Sequence, residues 1–396
     1  MSSRGQRVLR RRAPGRFGPM ARGVLLLLGG VLLAAALAAL VIRYGLETPR
    51  FDEAAWARQV AAQDPAALYA PHRGPQGRFF NPWLPRGHSS WRVLRWWLAP
   101  NSLPRLRGRF PPAPRVTNRG GYLHDPAAPD SLTWIGHATY AIQLGGQVVL
   151  TDPFFSSRAL VVSRLVPPAM AIEELPRRLL VLISHNHYDH LDASSVRALA
   201  ARGAEFICPL GLGAYLRELG ARRVTELDWW QSRRRRGLAI TFLPTQHWSR
   251  RWGQGYDRTL WGSFLIQGHG RKVFYGGDSG YFAGFREFGR RFGPVDAALI
   301  GAGAYAPRWF MHYAHLDPRE LVRAAKDLQA RLVVPTQWGV LKLGDEPASY
   351  PAVVLRRLAG RDPWLRKRLR LLPVGGRLLL GAPAGPAGAG RLDSRD

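Results

Sequence analysis

The sequence predicts an α/β fold in which two β-sheets are sandwiched between helices, behind an N-terminal transmembrane helix and an extended arm. Three observations carry this. From about residue 130 short β-branched runs alternate with helical patterns. Residues 23–42 are twenty uncharged, nearly all apolar positions. The run His185-Asn186-His187-Tyr188-Asp189-His190 follows directly on an apolar strand, where a loop can present several side chains together.

In chain order, residues 1–22 form a basic cytoplasmic tail with seven arginines and no acid. Twenty residues at helical rise cover about 30 Å, the depth of a hydrocarbon core, so residues 23–42 read as a single-pass anchor. The basic flank lies N-terminal, which puts the remainder on the outer side, the periplasm in a bacterium. A cleaved signal peptide is the competing reading, since Ala34 to Ala39 supply small residues for a peptidase. Residues 43–128 are rich in Pro, Arg and aromatics and predict an arm packed on the body. Its tryptophans, Trp83 and the Trp96-Trp97 pair among them, serve either packing or anchoring at lipid headgroups.

Residues 129–380 form the body. Strands are expected at Thr133–Ile135, Tyr140–Leu144, Val148–Thr151, Leu179–Ser184, Glu205–Cys208, Ala239–Leu243, Ser263–Ile266, Val273–Tyr275, Ala297–Ile300 and Leu332–Pro335. Helices are expected at Ala193–Arg202, Gly211–Leu219, Gly280–Arg291, Pro318–Gln329 and Tyr350–Leu358, with Asp317 and Pro318 as an N-cap and N1 pair. Residues 381–396, mostly Gly, Ala and Pro, predict a disordered tail.

The formal charge of +30 would ordinarily suggest a polyanionic partner. The excess is almost all arginine, with only Lys272, Lys326, Lys342 and Lys367 as lysines, and it is spread along the whole chain. That pattern fits a GC-rich genome, so nucleic acid is not the expected partner. The single cysteine, Cys208, excludes an internal disulfide and a thiolate zinc cluster.

Zinc takes imidazole nitrogen and carboxylate oxygen, and a catalytic site keeps one position open. His185 and His187 can point together while Asp189 and His190 turn to a neighbouring position. His247 ends the strand Ala239–Leu243, and Asp278 follows two glycines at the end of another strand, where it can bridge two metals.

These stretches make the resemblance specific. The sequence resembles the N-acylphosphatidylethanolamine-hydrolysing phospholipase D family and its bacterial relatives in the metallo-β-lactamase superfamily. The matching stretches include Trp134-Ile135-Gly136-His137-Ala138-Thr139, Leu150 to Arg158, Ile183 to Asp192, Leu227-Asp228-Trp229-Trp230, Thr245 to Trp248, Gly276 to Tyr281 and Gly303 to Met311, within about residues 75 to 345. The His-rich run marks the superfamily, and Ala304-Tyr305-Ala306-Pro307-Arg308-Trp309-Phe310-Met311 marks this branch.

The resemblance implies a metallo-β-lactamase αββα sandwich with one zinc on His185, His187 and His247 and a second on Asp189 and His190, bridged by Asp278. It also places a final histidine before Trp-Gly, where this chain reads Gln337-Trp338-Gly339. A neutral amide oxygen is a poorer donor than imidazole, so Gln337 should hold the second metal weakly or through water. His312 or His315 swinging in is a further option. Phosphodiester hydrolysis is implied, with Asp189, Asp278 and His315 catalytic and Arg250, Tyr305 and Arg308 facing a phospholipid substrate at the membrane. His137 and Asp152 are expected to support the ligands from behind, not to bind metal. Two rivals remain: another hydrolase of this fold, such as a lactonase or nuclease, or a lipid-binding protein whose centre has decayed at Gln337.

Overall fold

The computed structural model of the chain describes residues 19–45, 49–85, 90–103, 106, 109–177, 179–381 and 392–393. The basic tail up to residue 18 and most of the tail after Gly381 lie outside the described residues. The chain divides into two compact units, Met1–Pro49 with Ser89–Pro100, and Arg50–His88 with Asn101–Asp396.

Helices α1 (Pro19–Gly45), α2 (Glu53–Ala61) and α3 (Ser90–Leu98) precede the first strand. α1 and α3 belong to the smaller unit. Leucine and alanine favour the helix throughout α1, and Leu25 to Leu28, Leu32, Leu33 and Leu37 are exposed. The expected membrane span falls within α1 but is corrected in one respect. Among the described residues no helix is long and apolar enough to cross a membrane. α3 leaves Trp91 and Trp97 exposed.

In the larger unit, Asp52 caps α2 by accepting the Ala55 N–H at 2.9 Å. The i, i+4 pair Trp56 and Val60 is buried with Leu68, Phe79 and Trp83 in the main core. Trp83 sits 5.4 Å from Trp229 and 5.0 Å from Phe282, centroid to centroid. These arm aromatics therefore pack in the core.

The first sheet holds β1 (Ser131–Gly136), β2 (Thr139–Leu144), β3 (Gln147–Thr151), β4 (Leu180–Leu182), β5 (Glu205–Pro209) and β6 (Arg223–Leu227). Strands β1 to β3 form an antiparallel meander; β3 to β6 run parallel through crossover helices α4 (Ala193–Ala201) and α5 (Gly213–Glu218). The second sheet holds β7 (Ser232–Arg235), β8 (Leu238–Leu243), β9 (Ser263–Gly268), β10 (Arg271–Tyr275), β11 (Ala297–Gly301) and β12 (Leu332–Thr336), with β10 to β12 parallel. Between and after them come α6 (Gly284–Phe292), α7 (Arg308–Met311), α8 (Pro318–Asp327), α9 (Tyr350–Arg361) and α10 (Pro363–Arg368). The strand β13 (Arg377–Leu379) then returns to pair with β1, and β14 (Leu392–Asp393) pairs with β13. This pairing gives two residues of the expected disordered tail a place in the sheet.

Alternation along a strand sends neighbouring residues to opposite faces. On β1 and β4, Trp134, Leu180 and Leu182 enter the main core, while Ile135 and Val181 enter a second core against α4 and α5. All ten expected strands are present, with ends shifted by at most two residues. α6 starts later than expected because Gly280 is held by a backbone bond to Gln246. α8 is capped by Asp317, as expected, with Glu320 closing a capping box.

α6 and α8 meet at Gly289, where a Cβ would collide with the carbonyl oxygen of Asp327. Gly289→Ala should lower the free energy of unfolding by at least ~2 kcal/mol, as overpacking does. Urea denaturation with an unchanged midpoint would show that the two helices separate freely.

Candidate metal centre

The end of β4 continues through Ile183 and Ser184 into the loop bearing His185, His187, Asp189 and His190. Gly277, with φ +55, lies so close that a Cβ there would stand 2.8 Å from Ser184 Cβ and 3.0 Å from Gly262 O. This approach brings Asp278, after β10, against the histidine loop. His247 follows β8, so the two sheets contribute side chains to one centre.

Two groups of donor atoms share Asp278. In the first, His187 Nδ1 lies 2.9 Å from His185 Nε2 and 3.2 Å from His247 Nε2. Asp278 Oδ2 lies 3.7 Å from His185 Nε2 and 3.6 Å from His247 Nε2. Donors on a tetrahedral zinc with bonds of about 2.0–2.1 Å stand about 3.3 Å apart, so the four atoms fit one ion. In the second group, His190 Nε2 lies 3.1 Å from Asp278 Oδ1 and 3.4 Å from Asp189 Oδ2. His137 Nε2 lies 2.9 Å from the same Asp189 oxygen. Asp278 thus turns one oxygen to each group, as a bridging carboxylate can.

Burial lowers the pKa of His185 and His247 well below the usual imidazole value and takes His187 to about 4, leaving these rings neutral and able to bind a cation. Burial would also lower His190, but the Asp278 and Asp189 carboxylates hold it well above its usual value. Burial would raise both acids, yet the neighbouring His190 keeps each well below the usual carboxylate range.

Gln337 is buried after β12, but its side chain faces the centre as a donor. Nε2 gives hydrogen bonds to Asp278 Oδ1 at 2.7 Å and Gly277 O at 3.3 Å. The ligand role expected for its amide oxygen is therefore absent from this arrangement. His312 does not swing in either: its ring lies 4.5 Å from Phe51 and 4.6 Å from Trp56, with Nδ1 donating to Arg308 O. His315 does reach the centre, its ring 5.5 Å from that of His247, and lines a small cleft with Asp278, Gly303 and Gln337.

Asp152 holds the centre from behind, as expected. Its Oδ1 accepts the Ser184 N–H at 2.7 Å; its Oδ2 accepts Ser184 Oγ at 2.5 Å, His190 Nδ1 at 2.6 Å and Tyr275 OH at 2.6 Å. Since the carboxylate only accepts, His190 Nδ1 carries a proton and its Nε2 is aimed at the second group. Arg251, not singled out from the sequence, fixes the loop itself. Its guanidinium donates to Asn186 O at 3.1 Å and Leu191 O at 2.9 Å and lies over Tyr188.

The three residues expected to face substrate differ. Arg250 is exposed at the loop's edge over Tyr256, its backbone N–H held by Asn186 Oδ1 at 2.9 Å. Tyr305 is buried, and its N–H donates to Glu346 at 3.2 Å. Arg308 is engaged by Glu320 at 2.8 Å, Glu53 at 3.4 Å and Asp317 at 3.9 Å and donates to His315 O. Arg308 therefore steadies the segment bearing His315, and its charge is matched by acids.

Two outcomes follow. Asp152→Asn should weaken metal binding about 10–100-fold, because an amide cannot accept the same set of bonds around His190; chelator competition measures it, and unchanged affinity would remove Asp152 from the support. Glu346, buried beneath residues 304–306, has its pKa raised by burial from 4.5 to about 7. A raised acid stabilises the fold below its unfolded pKa and loses that contribution as pH rises through the folded one. Glu346→Gln should thus abolish a loss on the order of 3 kcal/mol between pH ~4.5 and ~7, read by urea denaturation of both proteins at pH 5 and 8.

Residues 147–338 match the beta-lactamase superfamily domain. Over 229 residues the chain is 36% identical to N-acyl-phosphatidylethanolamine-hydrolyzing phospholipase D 1 of Caenorhabditis elegans, covering 54% of this chain and 64% of that enzyme, less than two thirds of its length. Over 102 residues it is 43% identical to the outer membrane protein RomA of Klebsiella pneumoniae, covering 26% of this chain and 75% of that protein. A possible metal-dependent hydrolase from Veillonella parvula shares the fold, with a TM-score of 0.53 at 12% identity, over 64% of this chain and 100% of the other. The αββα sandwich, the metal-ligand cluster and these matches agree: the chain belongs to the metallo-β-lactamase superfamily and is similar to its N-acylphosphatidylethanolamine-hydrolysing phospholipases D.

Proposed function

We propose that this chain is a zinc-dependent phosphodiester hydrolase that cleaves N-acylphosphatidylethanolamine, or a related phospholipid, in the manner of a phospholipase D. The products would be a phosphatidic acid and an N-acylethanolamine. The observation that carries this reading is the placing of buried Asp278 with Oδ2 beside His185 and His247 and Oδ1 beside His190, next to a cleft that His315 lines. Two metals in such a centre supply Lewis acidity, lowering the pKa of water and neutralising phosphate oxygens.

The chain's own residues do the rest. Asp278 and Asp189 hold the negative ends of the centre and orient the attacking water by hydrogen bonding. His315, half-buried beside His247, passes a proton to the departing alkoxide of the ethanolamine. Arg250, at the loop's edge, pairs with a phosphate oxygen of the substrate. Arg308 and Tyr305 act through packing, holding the His315 segment and the loop before it. The exposed leucines of α1 support contact of the chain with lipid, where phospholipid substrate is concentrated.

The purified full chain, loaded with zinc, should release phosphatidic acid from N-acylphosphatidylethanolamine in mixed micelles. His247→Ala should lower kcat/KM about 1,000-fold, the loss of several kcal/mol of metal assistance. Cleavage of a lactone or single-stranded RNA with the lipid left intact would replace this reading with another hydrolase. Zinc-free protein that binds the micelles and cleaves nothing would make it a lipid-binding protein.

A further inference from the structure

Gln337 leaves the second donor group without an imidazole, and its amide cannot fill the gap as placed. A carboxylate only accepts, so the atom 2.7 Å from Asp278 Oδ1 must be the amide nitrogen. The oxygen is turned to Gly301, where a Cβ would stand 2.6 Å from it.

A buried imidazole lies beside the gap. His137 occupies the short turn between β1 and β2 with φ +52, a left-handed conformation uncommon for a residue with a side chain. Its carbonyl accepts the Gln337 N–H at 3.1 Å and the Trp134 indole N–H at 2.9 Å, so the turn is tied directly to residue 337. The ring is 1% exposed. Its Nε2 stands 2.9 Å from Asp189 Oδ2, and His137, Asp189 and His190 each offer a ligand atom within 4.8 Å of the others. This spacing resembles that of the three nitrogens of the first group, at 2.9 and 3.2 Å.

His185, His190 and His247 each have the nitrogen remote from the centre held, by Ser184 Oγ, Asp152 and Ala314 O. His137 Nδ1, like His187 Nε2 in the first group, is buried without a hydrogen-bond partner among the described residues. Among those residues, the contact of Nε2 with Asp189 is the hydrogen bond that orients this ring, so the centre itself aims it.

We propose that His137 is a protein ligand of the second metal, in place of the imidazole absent at position 337. The inference rests on the two-metal reading of the site but not on any substrate. It corrects the expectation that His137 only supports ligands from behind. Bound in this way, the second metal has His137, Asp189 and His190, two imidazoles and a carboxylate suited to a borderline cation such as zinc, with Asp278 Oδ1 3.1 Å from His190 Nε2.

Cobalt(II) titration of the chelator-stripped full chain tests this, because cobalt reports both stoichiometry and the number of nitrogen ligands. The wild-type chain should bind two ions. His137→Asn keeps an amide N–H for Asp189 but has no imidazole; it should weaken the second ion more than about 100-fold, beyond the range for residues that only steady a ligand. The first ion and the thermal midpoint of the stripped protein should be unchanged. Adding Gln337→His to that variant should restore two tightly bound ions. Nitrogen hyperfine coupling at the second cobalt should fall from two imidazoles to the one of His190 in the first variant and return to two in the double one. A weakening below about 100-fold overturns the assignment. So does Gln337→Ala weakening the second ion as much as His137→Asn, which would make the amide the ligand. A wild-type chain that binds one ion also overturns it, while leaving one-metal lipid hydrolysis standing. Two ions bound through His137 with no lipid cleavage would remove the phospholipase reading alone.

Discussion

The centre depends on a buried carboxylate whose two oxygens face different neighbours. Asp278 is 6% exposed, and placing a charge there costs several kcal/mol unless it is matched. His190 matches it on one side, and the Gln337 amide N–H supports the same oxygen. His185 and His247 lie beside the other oxygen. Gly277 makes the placement possible, because only a residue without a side chain brings the β10 end this close to Ser184. Asp152 extends the same logic one layer back, joining β3, the histidine loop and Tyr275 through one carboxylate.

The segment bearing His315 is held differently, by the N-terminal part of the larger unit. Trp56 on α2 donates its indole N–H to Glu320 at 3.0 Å, and Glu320 meets Arg308 at 2.8 Å. Arg308 then reaches the carbonyl of His315. Glu320 also closes the cap of α8. A tryptophan far away in sequence therefore helps fix the one histidine of the cleft that stands outside both donor groups. The arm is part of the site's construction.

The body's fold was largely legible because its strands are buried on both faces and read as apolar runs. β6 and β7 were not, since Arg223–Leu227 and Ser232–Arg235 are polar and owe their extended form to pairing with β5 and β8. The donor residues stood out where they cluster in sequence, at 185 to 190, or end a strand, at 247 and 278. His137 gave no such signal: its approach to Asp189 depends on a left-handed backbone at a non-glycine residue, which composition does not reveal. Arg250 and Arg251 are neighbours of one type, and only the geometry of the antiparallel pair Arg250–Arg251 with Gly255–Tyr256 decides that Arg251 faces inward. The resemblance implied a substrate contact for Arg308, and its acidic partners Glu53 and Glu320, separate from it in sequence, show themselves only in the fold.

The distribution of these residues over the sandwich has a mechanical consequence. His137 and the loop 185–190 hang from the first sheet; His247, Asp278 and Gln337 hang from the second. An ion gripped from both sides acts as a rivet between the two layers, placed at one end of the seam where Gly277 already brings them together. Because an unfolded chain offers no preformed grip, occupancy favours the closed sandwich by mass action. An ion held there would fasten the halves of the chain at the proposed reaction centre, and resistance to prying the layers apart would rise with the metal available to the protein.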